Sequence, residues 1–323
     1  MPRPALYAAF FLSGACGLVY EVVWERWLEL YLGVTAYAAA AVAAAFMLGL
    51  ALGAAAGGKL ADRVRTPLRL YGLCEVGIGL YALALPWILP MALHSASTGA
   101  GPAFLRAAAA LLLPTMLMGA TLPLLCRQAA DRGDLGREFG RLYGINALGG
   151  IAGAWGAGFF LLQTFGARAA NGAAAAASLA LGALFLINGP VGDRRPPERA
   201  PDAATSPVWL MGAVFTSGFC SLACQILWFR SLRMVIGSTV YAFSILLGVF
   251  LLAIALAGWA ASRAAASKPE LLIRRLACAQ AGAGVLILLL FPALPASWPI
   301  LTFFGKLYFS WLGSWGWSRL VHV

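Results

Sequence analysis

The chain has 323 residues, is 62% hydrophobic and 11% charged, and carries a formal net charge of +11. Soluble domains lie near ~45–50% apolar and ~25% charged, so this composition excludes an ordinary soluble enzyme and implies a helical membrane protein. The positive charge forms no basic stripe with interleaved aromatics, which excludes a nucleic-acid partner.

The apolar runs are continuous and about twenty residues long, as a helix needs to cross a ~30 Å hydrocarbon core. A membrane β-barrel would instead alternate apolar and polar residues in segments of about ten. Spans are expected at 5–32, 36–58, 68–93, 103–126, 142–165, 169–189, 207–236, 239–261, 271–292 and 298–317. The expected fold class is an all-α polytopic membrane protein of about 10 transmembrane helices, embedded in a lipid bilayer.

The first span contains SGACGLVYEVVWERWLEL, with Glu21, Glu25, Arg26 and Glu29 inside an apolar run. A charge at bilayer depth costs at least ~2.5–3.5 kcal/mol, so these residues require an explanation. The run lacks a small-residue cleavage site and is too long for a signal peptide, so it reads as a retained helix. The three glutamates are spaced i, i+4, i+8 and lie near one helical face. At ~1.5 Å per residue, Glu21 lies about 22 Å along a helix that begins near Leu6. It is expected in a buried position, as a substrate or proton candidate. Glu25, Arg26 and Glu29 fall near the outer interface and have two readings. One is an acid-lined mouth that attracts a cation or amine. The other, favoured for Glu25 and Glu29, is a place among headgroups beside Trp24 and Trp27, with Arg26 paired internally.

The loop after the second span reads GKLADRVR. In it Gly58, Asp62 and Arg63 form a compact motif: Asp62 can brace a helix end while Arg63 and Arg65 anchor at an anionic surface. The third span carries Glu75, about 10 Å in from Leu68 by the same rise. An ionisable group at that depth is a functional candidate by default. Two readings stand, a substrate or proton site and a structural hydrogen bond to a neighbouring helix. Pro114 and Pro123 bracket the fourth span and are expected to kink it. Asn146 in the fifth span reads as a polar contact between helices. Gly49, Gly53 and Gly57, like Gly149 and Gly153, are spaced for close helix packing.

The segment PVGDRRPPERAPDAATSP (190–207) is polar and Pro-rich and reads as an exposed linker. It divides the chain into a first six-span repeat over 1–190, a cytoplasmic linker over 191–206 and a second, incomplete repeat over 207–323. Most of the 23 Lys and Arg residues cluster at Lys59–Arg69, Arg127–Arg141, Arg194–Arg199 and Arg263–Arg275, in alternate loops. By the positive-inside rule this implies a cytoplasmic N-terminus in a cell inner membrane. The six cysteines all fall in or at the ends of apolar runs without a C-x-x-C, and His94 and His322 are far apart. Neither a disulfide framework nor a metal site is expected, and no cofactor is implied.

Residues 13–38, SGACGLVYEVVWERWLELYLGVTAYA, align without gaps on 217–242, SGFCSLACQILWFRSLRMVIGSTVYA, at a constant offset of 204. Eleven of the 26 positions are identical, among them Trp24/Trp228, Arg26/Arg230, Gly33/Gly237 and Tyr37/Tyr241. Glu21 aligns with Gln225. Further on, Glu75-x-Gly77-x-Gly79 matches Gln280-x-Gly282-x-Gly284, one residue out of register. Six spans separate the copies, and an even number gives a parallel repeat like the two halves of major facilitator transporters. On this reading Glu21 and Gln225 face each other at the repeat interface. Arg26 and Arg230 either hydrogen-bond across the bundle or anchor at the membrane surface. Counterparts of PTMLMGATLP and YGINALGG are missing from the second copy, so the chain is expected to be a piece of a longer protein.

The GKLADR loop resembles the signature that major facilitator proteins carry between their second and third spans. Together with FMLGLALG, PLRLYGLCEVGIGLYAL, PTMLMGATLPLL and YGINALGG, the chain resembles bacterial membrane proteins of the fused major-facilitator/spermidine synthase family over nearly its whole length. The resemblance implies a membrane bundle preceding a soluble, Rossmann-like aminopropyltransferase domain. It also implies a polyamine or other small cationic substrate. The chain itself holds no Gly-rich nucleotide loop between a strand and a helix, so no catalytic residue is assigned. The function expected is a membrane module, transport-like or presenting an amine to a downstream synthase domain. The alternatives are a bare membrane anchor for that enzyme and a structural subunit.

Overall fold

A computed structural model describes residues 3–33, 36–93, 100–130, 135–189, 208–236, 240–264, 271 and 273–290. Among these residues every regular element is helical. The elements are α1 (Arg3–Leu32), α2 (Ala36–Ala61), α3 (Pro67–Leu93), α4 (Ala100–Ala130), α5 (Leu135–Gly156), a one-turn α6 (Leu162–Thr164), α7 (Gly166–Asn188), α8 (Val208–Ile236) and α9 (Val240–Ala264). A further helix, α10, covers Ile273–Leu290. Nine helices among the described residues are long and apolar enough to cross a membrane. They match the first nine expected spans closely. The tenth span, 298–317, and the linker 191–206 lie outside the described residues.

Local chemistry sets the helix ends. Gly33 follows α1 with φ 78°, a left-handed backbone that glycine adopts without a Cβ penalty. Pro67 opens α3, where its missing N–H is no loss, and Thr66 accepts from the Arg69 and Leu70 amides. The motif loop closes α2 through Asp62 N–H to Gly58 O and Arg63 N–H to Leu60 O, with both side chains exposed. Between α5 and α6 a π-helical turn, Ala157–Leu161, inserts one residue into the span, and Gln163 donates to the Gly158 carbonyl.

The chain forms two compact units. One comprises Met1–Met211 with Phe243–Ala266, the other Gly212–Ala242 with Ser267–Val323. This division differs from a cut at the linker, because α9 packs with the first six spans. The Trp155 indole occupies the space left by Gly248 on α9.

Within the first unit α1 is central and packs against α5, α7, α2 and α4. The other main pairs are α2 with α4, α3 with α7, and α3 with α4. These pairings have an internal order. Exchanging α1, α2, α3 for α4, α5, α7 turns α1·α5 into α4·α2, α3·α4 into α7·α1 and α1·α2 into α4·α5, and leaves α3·α7 unchanged.

The glycines follow the same exchange. A Cβ on Gly149 or Gly153 of α5 would collide with the Phe11 or Ala15 backbone of α1. A Cβ on Gly49 or Gly53 of α2 would collide with Thr115 or Met116 of α4. On α3 and α7, Gly72 and Gly182 each face the other's carbonyl. The expected close-packing role of these glycines is therefore seen at both contacts.

Four prolines of the spans are accommodated inside helices. Pro114 and Pro123 both lie within α4 rather than at its ends, and Pro86 and Pro90 within α3. A proline leaves the carbonyl four residues earlier without its helical donor. For Pro114 that carbonyl is Ala110, which accepts from the Tyr81 hydroxyl at 2.7 Å. For Pro86 it is Ala82, which accepts from Asn171 Nδ2 at 2.7 Å. Neighbouring helices thus supply the missing donors.

Candidate functional site

The polar interior of the first unit lies where α1, α3 and α7 meet. Glu75 on α3 is 1% exposed. The Ser13 hydroxyl of α1 donates to its Oε1 at 2.5 Å. The Tyr71 hydroxyl, one turn earlier on α3, and the Ser178 hydroxyl of α7 face the same carboxyl. Tyr71 is fully buried, stacked edge-on against Phe185 at 4.7 Å, and its Oη completes no hydrogen bond of good geometry. Among the described residues no Lys or Arg pairs with Glu75.

The network continues along α1. The Tyr20 hydroxyl donates to Ser178 Oγ at 3.2 Å. One turn on, Trp24 Nε1 donates to Asn171 Oδ1 at 3.0 Å, while Asn171 Nδ2 holds the Ala82 carbonyl. Tyr20 and Trp24 stack at 5.1 Å. Helical spacing makes this line possible. Ser13, Tyr20 and Trp24 recur at intervals of seven and four on α1, and Asn171 and Ser178 are seven apart on α7.

The second unit holds a related contact. Gln280 Nε2 of α10 donates to Ser217 Oγ of α8 at 2.6 Å. Ser217 aligns with Ser13 in the sequence repeat, and Gln280 with Glu75. The same serine position therefore holds the polar residue of the third span in both copies.

The other candidates are placed as follows. Glu21 is 7% exposed and makes no hydrogen bond or ion pair among the described residues. Gln225 is half-buried on α8 and Arg230 is exposed. Arg26 pairs locally with Glu29 at 3.4 Å, its side chain 41% exposed. Glu25 and Glu29, expected among headgroups, are instead enclosed by protein at 1% and 7% exposure. The reason is the central position of α1, which leaves few of its faces uncovered. Asn146 lies against Gly14 of α1, consistent with a contact between helices. Gly58, in the last turn of α2, and Asp62 and Arg63, in the turn that follows it, sit apart from the polar core. Of the cysteines, Cys16, Cys74 and Cys126 are buried, whereas Cys220 and Cys278 are exposed.

Sequence reasoning singled out Glu75 but not its partners. Ser13 entered only as a repeat identity, and Tyr71, Asn171 and Ser178 not at all. The one available signal was an Asn and a Ser seven apart in an otherwise alanine-rich span. A second polar tie was also missed: Tyr7 donates to Glu138 Oε2 at 2.7 Å and Arg141 to Oε1 at 3.0 Å. Glu138 lies in the first turn of α5, where a carboxylate suits the helix dipole.

Comparison of the chain with protein-family models, with curated proteins and with solved structures finds no match.

Proposed function

We propose that this chain is the membrane module of a spermidine synthase-like protein. In this reading it is an inner-membrane bundle of major-facilitator-like architecture with a cytoplasmic N-terminus. It carries or presents a small amine, and the aminopropyltransferase-like chemistry resides in a soluble domain outside these residues. The observation that carries the reading is Glu75, an enclosed carboxyl among hydroxyls at the junction of three helices, with no Lys or Arg beside it among the described residues. Such a group is costly in a membrane interior and marks a ligand or ion pathway by default. Two further features support the architecture. The helix pairings obey a three-for-three exchange, as in the inverted triplets nested within each half of major facilitator proteins. The Ser13–Glu75 and Ser217–Gln280 contacts recur at the spacing of the sequence repeat.

The test is equilibrium binding of radiolabelled spermidine to the purified full chain in lipid nanodiscs. A charge-assisted contact is worth ~1.5–3 kcal/mol, so Glu75→Gln is expected to weaken binding ~10–100-fold. Glu21→Gln is expected to weaken it in the same direction. Wild-type affinity in both variants would remove the site assignment. No spermidine binding by the wild type would favour the second reading, a membrane anchor, which the existing Ser13 contact to Glu75 also fits.

A further inference from the structure

Hydrogen-bond accounting around Glu75 points to a specific ligand. A buried carboxylate has about four acceptor sites and requires several donors, whereas a carboxylic acid supplies one O–H and needs an acceptor for it. Among the described residues the one donor in good geometry is Ser13. The Tyr71 oxygen, enclosed beside the carboxyl, completes no hydrogen bond of good geometry among the described residues.

The second copy supplies an independent observation. There the equivalent residue is Gln280, a neutral amide of the same shape as a protonated glutamate, and it donates to Ser217. Extending the alignment of Glu75 with Gln280 places Leu276 opposite Tyr71. The extra hydroxyl is thus present beside the residue that can gain and lose a proton and absent beside the one that cannot.

We infer that Glu75 is a proton-binding site, with the Tyr71 hydroxyl as the acceptor that holds the loaded acid. Loading forms one O–H bond on the Glu75 carboxyl and consumes one proton; release breaks that bond and returns it. In the loaded state Glu75 is the counterpart of Gln280, a neutral group on a serine. In the unloaded state the carboxylate is held by Ser13, with Tyr71 and Ser178 turning their hydroxyls toward it. The titratable groups around it are Cys16 and Tyr20 from α1 and Tyr71 and Cys74 from α3. From α7 comes the hydroxyl of Ser178, and no titratable side chain of α4 or α7 reaches it among the described residues. The inference rests on the proposed role of this same site and names the coupled species.

The experiment is pH-difference infrared spectroscopy of the full chain in nanodiscs. The wild type is expected to show the carbonyl stretch of a buried protonated carboxyl that appears as pH falls. Glu75→Gln is expected to abolish that band without loss of the fold, because glutamine is the native residue at the equivalent position. Glu75→Asp should keep and displace the band, which guards against a misfolded Gln variant. Tyr71→Phe should shift its frequency, since the acceptor is gone; an unshifted band would overturn the role of Tyr71. A difference spectrum unchanged in Glu75→Gln would overturn the proton site itself. Spermidine binding by the same samples separates the two claims. Binding that survives Glu75→Gln while the band is lost refutes the amine site and leaves the proton site standing.

Discussion

Gln280 and Ser217 form a 2.6 Å hydrogen bond between α10 and α8 that corresponds, residue for residue, to the bond between Glu75 and Ser13. The sequence separations are 63 and 62, the one-residue difference being the register slip between the two copies of the third span. A contact recurring in this way follows from the repeated helix sequence, and it fixes which face of the third span meets the first.

Glycine contacts are expected to be the least tolerant positions of the first unit. Gly149→Val would drive a side chain into the Phe11 backbone, and overpacking of this kind costs ~1–3 kcal/mol. Gly172 has open space where a Cβ would stand, so Gly172→Ala is expected to gain up to ~1 kcal/mol from helix propensity. Thermal unfolding of the two variants in the same detergent should move in opposite directions.

Asn171 is expected to be coupled to Pro86. Asn171→Ala removes the acceptor for Trp24 and the donor for Ala82, and each buried group left unsatisfied costs ~1–3 kcal/mol. Pro86→Ala restores an N–H to the Ala82 carbonyl, so Asn171→Ala should be less destabilising in that background. A double-mutant cycle with additive effects would refute the coupling.

The positions of the spans were legible because twenty-residue apolar runs have few other outcomes, and nine of ten coincide with helices to within a few residues, the fifth beginning earlier with α5. Glu75 was legible because an acid inside such a run stands out. Its partners were not, since a serine or asparagine in an alanine-rich helix declares nothing about the helix opposite. The headgroup placement of Glu25 and Glu29 failed for the same reason. Depth along a helix can be counted from sequence, but which faces neighbours cover depends on packing. Pro86 was passed over because the donor that relieves it, Asn171, lies 85 positions away.

The tie at the start of α5 should respond to loss of a hydroxyl. Tyr7→Phe removes the 2.7 Å bond to Glu138, a contact to a charged group worth ~1.5–3 kcal/mol. The variant is expected to unfold at lower temperature than wild type. Arg141→Ala should have a smaller effect, because that side chain is half-exposed and its pairing is screened.

Orientation is open to a labelling test. Single cysteines placed at Arg132 and Arg195, in a background without native cysteines, are expected to resist an impermeant thiol reagent in intact cells. They should react once the membrane is opened. Labelling in intact cells would reverse the cytoplasmic assignment of the N-terminus.

The most direct measurement is cross-linking of the repeated contact in that same cysteine-free background. A short bifunctional thiol reagent is applied to the full chain carrying cysteines at Ser13 and Glu75, and separately at Ser217 and Gln280. The account predicts efficient intramolecular cross-linking of both pairs, and little when the partner is moved to the opposite face, as at Leu73. Cross-linking of the first pair without the second, or of neither, would contradict the claim that one polar contact joins the first and third spans of both copies.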